Sequence, residues 1–319
     1  MNAPSIREIR DASQRITSFI HRTPVLTCST LNRMCSTELF FKCENFQKAG
    51  AFKTRGAANA VFSLEDARAA RGVATHSSGN HAAALALAAS WRNIPAYVVM
   101  PTNASQAKKD ATAGYGAEIT LCDPTLAARE QGLAEVVERT GAAFIPPYND
   151  FRVISGQGTA ALELIEEVGN LDIVMAPVGG GGLLSGTAIA VSALAPKTRV
   201  IGAEPKEADD AAQSFYAGRI IPAHNPRTIA DGLRTSLGDR TFPIIKALVA
   251  DIVTVSEEAI VEAMRIVWER MKILIEPSAA VPVGAVLTKG AELPGTRIGI
   301  ILSGGNVDLA SLPFSKDTM

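Results

Sequence analysis

The sequence predicts an α/β protein made of two open, twisted parallel-sheet lobes that share a cleft. Three observations lead there. From Gly72 onward, short apolar runs alternate with longer helical patterns, the rhythm of parallel strands joined by crossover helices. The length, 319 residues, suits one large or two intimate α/β domains. Polar or glycine-rich turns directly follow several of the apolar runs, and the carboxyl ends of parallel strands are where such folds gather ligands.

Taken in order, Ile6, Ile9, Ile16 and Ile20 recur near the helical period until Thr23-Pro24 ends the pattern, which gives an amphipathic opening helix. Glu38–Cys43 (ELFFKC) reads as a strand that delivers the chain to the loop FQKAGAFKTRG, and residues 55–64 read as the helix after it. The first alternating stretch is VATH, a helix through 82–91, AYVVM ending at Pro101, a helix near 105–113, AEITLC, a helix near 126–139, and AAFI. The second is a helix at 158–168, DIVMAPV, a helix after Gly182, RVIGAE, DIVTV, a helix at Glu257–Met271, a helix near 278–287, and RIGIILS. No Gly-, Pro- or Ser-rich linker, repeat or low-complexity run separates the halves.

Hydrophobic residues make up 47% of the chain and the net charge is -1. The first supports a sizeable core, and the second gives no electrostatic case for nucleic acid or an anionic membrane surface. Small molecules and other copies of the chain are the expected partners. Cys28, Cys35, Cys43 and Cys122 lack metal-type spacing, so reduced thiols and a cytoplasmic address are expected. The N-terminus carries charges where a signal peptide needs its apolar segment, and the longest plainly apolar run, 82–89, is far short of a membrane span.

Four stretches carry candidate chemistry. Lys53 stands beside Phe52 in FQKAGAFKTRG; taken alone it is a solvated amine, but a desolvated lysine forms Schiff bases with aldehydes and serves as a base. Gly179, Gly180, Gly181 and Gly182 follow Ala176-Pro177-Val178, so unobstructed backbone N–H groups and a helix N-terminus make a phosphate cradle. A flexible turn explains the glycines equally well by themselves. They are not a nucleotide P-loop, since no Lys-Ser/Thr follows, and Glu204 is the nearest approach to the acidic residue of a nicotinamide site, the runner-up from this feature. The other two turns are Ser77-Ser78-Gly79-Asn80-His81 and Ser303-Gly304-Gly305-Asn306.

Together these stretches resemble the pyridoxal-phosphate (PLP) enzymes of the tryptophan-synthase β type, fold type II, and most closely the serine/threonine dehydratase and serine racemase branch. Further motifs in the same order are Ser155-Gly156-Gln157-Gly158-Thr159, Ala230-Asp231-Gly232, Val267 to Lys272 (VWERMK) and Ile275-Glu276-Pro277-Ser278. The resemblance implies a small lobe at 72–148 inserted into a large cofactor-binding lobe at 1–71 and 149–319. It implies that Lys53 carries PLP as a Schiff base. Phe52, Asn80 at the ring hydroxyl oxygen, Gly179 to Gly182 at the phosphate, Glu276, and Ser303 at the pyridine nitrogen complete the cofactor site. Ser77, Ser78, Asn80 and His81 would take the substrate carboxylate, with Ser78 on the face opposite Lys53, and Arg129 and Tyr148 would border the substrate's far end. Glu204, the Ala208 carbonyl and Asp210 would bind Mg²⁺, or Mn²⁺ or Ca²⁺.

The residues keep plainer readings beside these. Ser77 or Ser78 serves as an ordinary N-cap, His81 makes a structural hydrogen bond, Tyr148 packs in a core, Arg129 is solvated, and Glu204 to Asp210 is a solvated acidic loop. Ala51 departs from the family, which commonly has serine there. The implied activity is a dehydratase, or ammonia-lyase, converting serine, threonine, 3-hydroxyaspartate or 3-phenylserine to a 2-oxo acid and ammonia in a homodimer. Serine racemisation is the competing activity, and a non-catalytic small-molecule sensor is the reading from another class.

Overall fold

The computed structural model describes residues 3–289, 296–309 and 311–314. Among these residues ten strands form two sheets: β1 (Val25–Leu26), β2 (Glu38–Cys43), β3 (Val73–His76), β4 (Ala96–Pro101), β5 (Glu118–Cys122), β6 (Ala143–Phe144), β7 (Ile173–Pro177), β8 (Arg199–Pro205), β9 (Asp251–Val255) and β10 (Arg297–Leu302). The larger sheet has the order β1-β2-β10-β7-β8-β9, parallel except for the short edge strand β1. The smaller has the order β5-β4-β3-β6 and is parallel throughout. The α/β class with parallel sheets is therefore as the sequence rhythm predicts.

Both faces of the larger sheet are buried, which is why its strands read as continuous apolar runs rather than alternating ones. Ile173 and Met175 of β7 face one core with Leu39, Phe41, Ile298 and Ile300, under the Glu257–Met271 helix. Val174 and Ala176 face the other, with Val200, Ile252 and Leu184. The small sheet is lined on one face by Ala57, Val61, Leu85 and Ala88 of the Lys53–Phe62 and Asn80–Trp91 helices. Leu133 and Val136 cover the other.

Local chemistry sets several boundaries. The opening helix, Ile6–Ile16, starts at Ser5, whose hydroxyl accepts from the Arg7 N–H while the Glu8 carboxylate returns to the Ser5 N–H, a capping box. The helix expected at 158–168 begins earlier, at Phe151, with the Asp150 carboxylate accepting from the Arg152 N–H at 2.8 Å. Its glycines look like breakers in the sequence but are contact points. A Cβ on Gly156 would lie 2.6 Å from the Arg55 carbonyl oxygen, and one on Gly158 would lie 2.9 Å from that of Gly186. Three helices thereby pack backbone to backbone. The short helices Ser29–Cys35, Asp210–Ala217 and Thr241–Leu248 have no counterpart in the sequence reading.

One buried cluster anchors the helix that Lys53 begins. Arg55, with no exposure, pairs with Glu44 through Nε at 2.7 Å and Nη2 at 2.8 Å, and with Glu163 through Nη1 at 2.7 Å and Nη2 at 2.8 Å. Lys42 adds a bond to Glu163 at 2.6 Å and one to the Thr23 carbonyl at 2.6 Å. Two cations and two anions balance. Burial pushes Glu163 upward, but Arg55 and Lys42 overcome this and hold it below the usual carboxylate range.

Candidate active site

Strands β2, β10 and β7 are neighbours and run parallel, so the loops that follow them emerge on one edge. The Lys53 loop and the Ser303 loop are stitched together by backbone. The Phe52 N–H donates to the Ser303 carbonyl at 3.0 Å, the Gly305 N–H donates to the Gly50 carbonyl at 2.9 Å, and Ala51 bridges Gly304. Lys53 is the first residue of its helix, two positions before the start expected at Arg55. Its half-buried amine donates to the Pro147 carbonyl at 2.8 Å and lies 5.1 Å from the centre of the Phe52 ring. Burial pushes this amine down to about 8, against the opposing pull of the Glu276 carboxylate. Near neutral pH it therefore holds a far larger neutral fraction than a surface lysine, which is what a nucleophilic amine needs.

The four glycines after β7 cannot carry side chains. A Cβ on Gly179 would lie 2.9 Å from the Leu233 Cα, and one on Gly180 would lie 2.3 Å from the Tyr148 ring. Gly181 has φ +87° and is the N-cap of the helix Gly182–Leu194, a conformation that favours glycine. Thr241 Oγ1 donates to the Gly180 carbonyl at 2.8 Å and fixes the turn. The result is a turn free of side chains at a helix N-terminus, suited to a phosphate. Ser303 is 1% exposed and its hydroxyl has no hydrogen-bond partner among the described residues. An orphaned buried hydroxyl beside the Lys53 loop is chemistry waiting for a ligand atom.

The small sheet contributes the turn after β3. Asn80 reaches across to Glu276, its Nδ2 lying 3.0 Å from each carboxylate oxygen, while its Oδ1 accepts from Asn306 Nδ2 at 2.9 Å. Burial pushes Glu276 up to about 7. Ser77 and Ser78 are half-buried, and neither caps the helix: Gly79 is the N-cap, with no side-chain cap, and Ser77 Oγ accepts from the Gly79 N–H at 3.3 Å. The ordinary N-cap reading of these serines is thus corrected, and the first turn lacks a side-chain cap. His81 is buried, with Nε2 3.0 Å from the Ile145 carbonyl; burial and the Lys53 charge push it down to about 3, so it is neutral. The structural reading of His81 is the one this geometry supports.

Tyr148 ties three regions together. Its ring lies against Gly180, and its Cβ and backbone lie against Gly182. Burial and the nearby Asp210 raise its phenol, while Arg129 opposes them. The Arg129 charge also lowers His76, secondary to that group's burial, and its Nε lies 3.4 Å from the Thr125 carbonyl. Glu204, at the end of β8, has no exposure and accepts from the Ala211 N–H at 2.9 Å and the Ala212 N–H at 2.8 Å. Burial pushes it up to about 9 and Asp210 up to about 7, and both Asp210 oxygens are buried without a hydrogen-bond partner among the described residues. Among the described residues no cluster of three or more His, Cys, Asp or Glu side chains is placed to hold a metal.

Sequence reasoning missed the Pro147 carbonyl, Thr241, and Asn306 as a partner of Asn80. Each bond joins residues more than 60 positions apart, except that the Ser303-Gly304-Gly305-Asn306 turn itself was visible.

A half-buried amine, a buried hydroxyl with no partner among the described residues and a glycine turn at a helix N-terminus are suited together to a phosphate-bearing cofactor held by a lysine. The chain belongs to the pyridoxal-phosphate dependent enzyme family, whose profile matches residues 16–304. It is 52% identical over 315 residues to a beta-hydroxyaspartate dehydratase of Paracoccus denitrificans (strain Pd 1222), covering 99% of this chain and 100% of the relative. It is 52% identical over 315 residues to a serine racemase of Arabidopsis thaliana, covering 97% of this chain and 95% of the relative. The crystal structure of serine racemase from Dictyostelium discoideum superposes with a TM-score of 0.92 at 50% identity, covering 96% of this chain and 99% of that one.

Among the described residues, no helix is long and apolar enough to cross a membrane.

Proposed function

We propose that this protein is a PLP-dependent ammonia-lyase that converts a β-hydroxy amino acid, with 3-hydroxyaspartate foremost, to a 2-oxo acid and ammonia. The observation that carries it is the Lys53 amine, held in a cleft at the Pro147 carbonyl and lowered to about 8. Supporting the substrate is the similarity to a beta-hydroxyaspartate dehydratase, together with Arg129, a cation able to meet a second carboxylate.

Lys53, Phe52, Asn80, Ser303 and the Gly179 to Gly182 turn are the residues that would hold PLP, with Glu276 behind Asn80; once bound, PLP makes the α-hydrogen of an attached amino acid acidic. The turn's N–H groups would take the phosphate, and Asn80 the ring hydroxyl oxygen. The Ser303 hydroxyl would face the pyridine nitrogen; being neutral, it leaves that nitrogen uncharged and favours β-elimination over transamination. The Ser77 to His81 turn orients the substrate carboxylate, and the freed Lys53 amine takes the α-proton. The β-hydroxyl then leaves with a proton as water, so that the α-proton and the hydroxyl lost sum to one water, and hydrolysis of the released enamine yields one 2-oxo acid and one ammonia. Serine racemisation needs only that Ser78 return a proton from the other face, and the similarity to serine racemases keeps it as a second activity. A purified protein is expected to release keto acid from threo-3-hydroxyaspartate faster than from L-serine, L-threonine or 3-phenylserine. Failure on all four would remove the reading.

The large lobe at 1–71 and 149–319, the small lobe at 72–148, a homodimer and a cytoplasmic address belong to the same reading. So does a divalent cation, Mg²⁺ foremost, at Glu204, Ala208 and Asp210, since two buried carboxylates raised in pKa are stabilised by a cation. Chelation is expected to lower the melting temperature by about 2–4 °C, restored by Mg²⁺. An unchanged melting curve and unchanged activity would count against these ligands.

A further inference from the structure

We propose that Asn306 and Glu276 are positioning residues that clamp the Asn80 amide between them, fixing which of its atoms faces the cofactor; the inference rests on the PLP reading of the site. Asn80 begins the helix after β3, whereas Asn306 and Glu276 belong to segments beside the larger sheet. Both ends of the Asn80 amide are engaged. Nδ2 lies 3.0 Å from each Glu276 oxygen, and Oδ1 accepts from Asn306 Nδ2 at 2.9 Å. Asn306 Nδ2 is itself directed by the Ala49 carbonyl at 2.8 Å. Flipping Asn80 would set its oxygen against a carboxylate and its NH₂ against another NH₂, so one orientation survives.

Two glycines make room for the clamp. A Cβ on Gly50, which has φ +70°, would lie 2.3 Å from Asn306 Oδ1, and a Cβ on Gly304 would lie 2.8 Å from Glu276 Oε1. Glu276 is 4% exposed, and its own N–H donates to the Gly304 carbonyl at 3.0 Å. The clamp is thus built into the turn on each side of Lys53, and Asn306 and Glu276 act on the cofactor through Asn80.

A double-mutant cycle on the PLP dissociation constant, read from the visible band, tests this. Asn306→Ala is expected to weaken PLP binding about tenfold in the otherwise native protein. In an Asn80→Ala background it should cause no further loss beyond about twofold, because its effect passes through Asn80. Asn306 is exposed, so the melting temperature of the cofactor-free protein should stay unchanged. Glu276→Gln, of equal shape, should shift the visible maximum in the native background and leave it unmoved beside Asn80→Ala. Equal losses in both backgrounds, or none in either, would overturn the clamp. A native protein that takes up no PLP would instead overturn the reading beneath it.

Discussion

Replacing Lys53 with alanine is expected to give a protein that is colourless after incubation with PLP and whose turnover falls at least roughly ten-thousand-fold. The expectation follows from geometry. The Lys53 amine is the nitrogen held at the Pro147 carbonyl, next to the loop that bears the orphaned Ser303 hydroxyl. Removing it takes away both the attachment point for an aldehyde and the base for the α-proton. Stability should not suffer, because a cation destabilised by burial is lost. Visible spectra, keto-acid release and melting curves of the two proteins decide it. Retained turnover together with a retained visible band would remove the mechanism and favour a binding protein on this scaffold.

Arg55→Met carries the second large expectation, this time on stability. It removes the cation clasped by Glu44 and Glu163 and leaves two buried carboxylates facing Lys42 alone. Breaking a buried ionic group from one side costs about 3–5 kcal/mol, read as the drop in unfolding free energy from urea titration. Arg55→Lys keeps the charge but not the two forked pairs, so it should recover only part of the loss. PLP affinity should fall with Arg55→Met as well, since the cluster fixes the helix on which Lys53 is the first residue. A loss below about 1 kcal/mol would mean that the cluster is not an anchor.

Much of the site was legible because its parts are local. Lys53 beside Phe52, the glycine run and the two polar turns each follow an apolar run, and β3, β7 and β10 do end where those turns begin. Parallel strands then bring the turns together, which is why strand rhythm carried the fold class. What stayed hidden lies in long-range pairing. Arg55 reads as part of a surface-like KTRG string, yet its partner Glu163 is 108 positions away. The helix at Phe151–Val168 was read as starting at Gly158, because glycine in a sequence signals a break and says nothing of a backbone passing within contact distance. The helices Asn80–Trp91 and Lys53–Phe62 each begin two residues before the starts expected at 82 and 55. Neither helix has a side-chain cap to mark its beginning.

The most direct measurement is to incubate the protein with PLP, reduce it with borohydride, digest it and find the modified lysine by mass spectrometry. The account predicts a single pyridoxyl adduct on Lys53, absent from Lys53→Ala. An adduct chiefly on another lysine, or none, would contradict it.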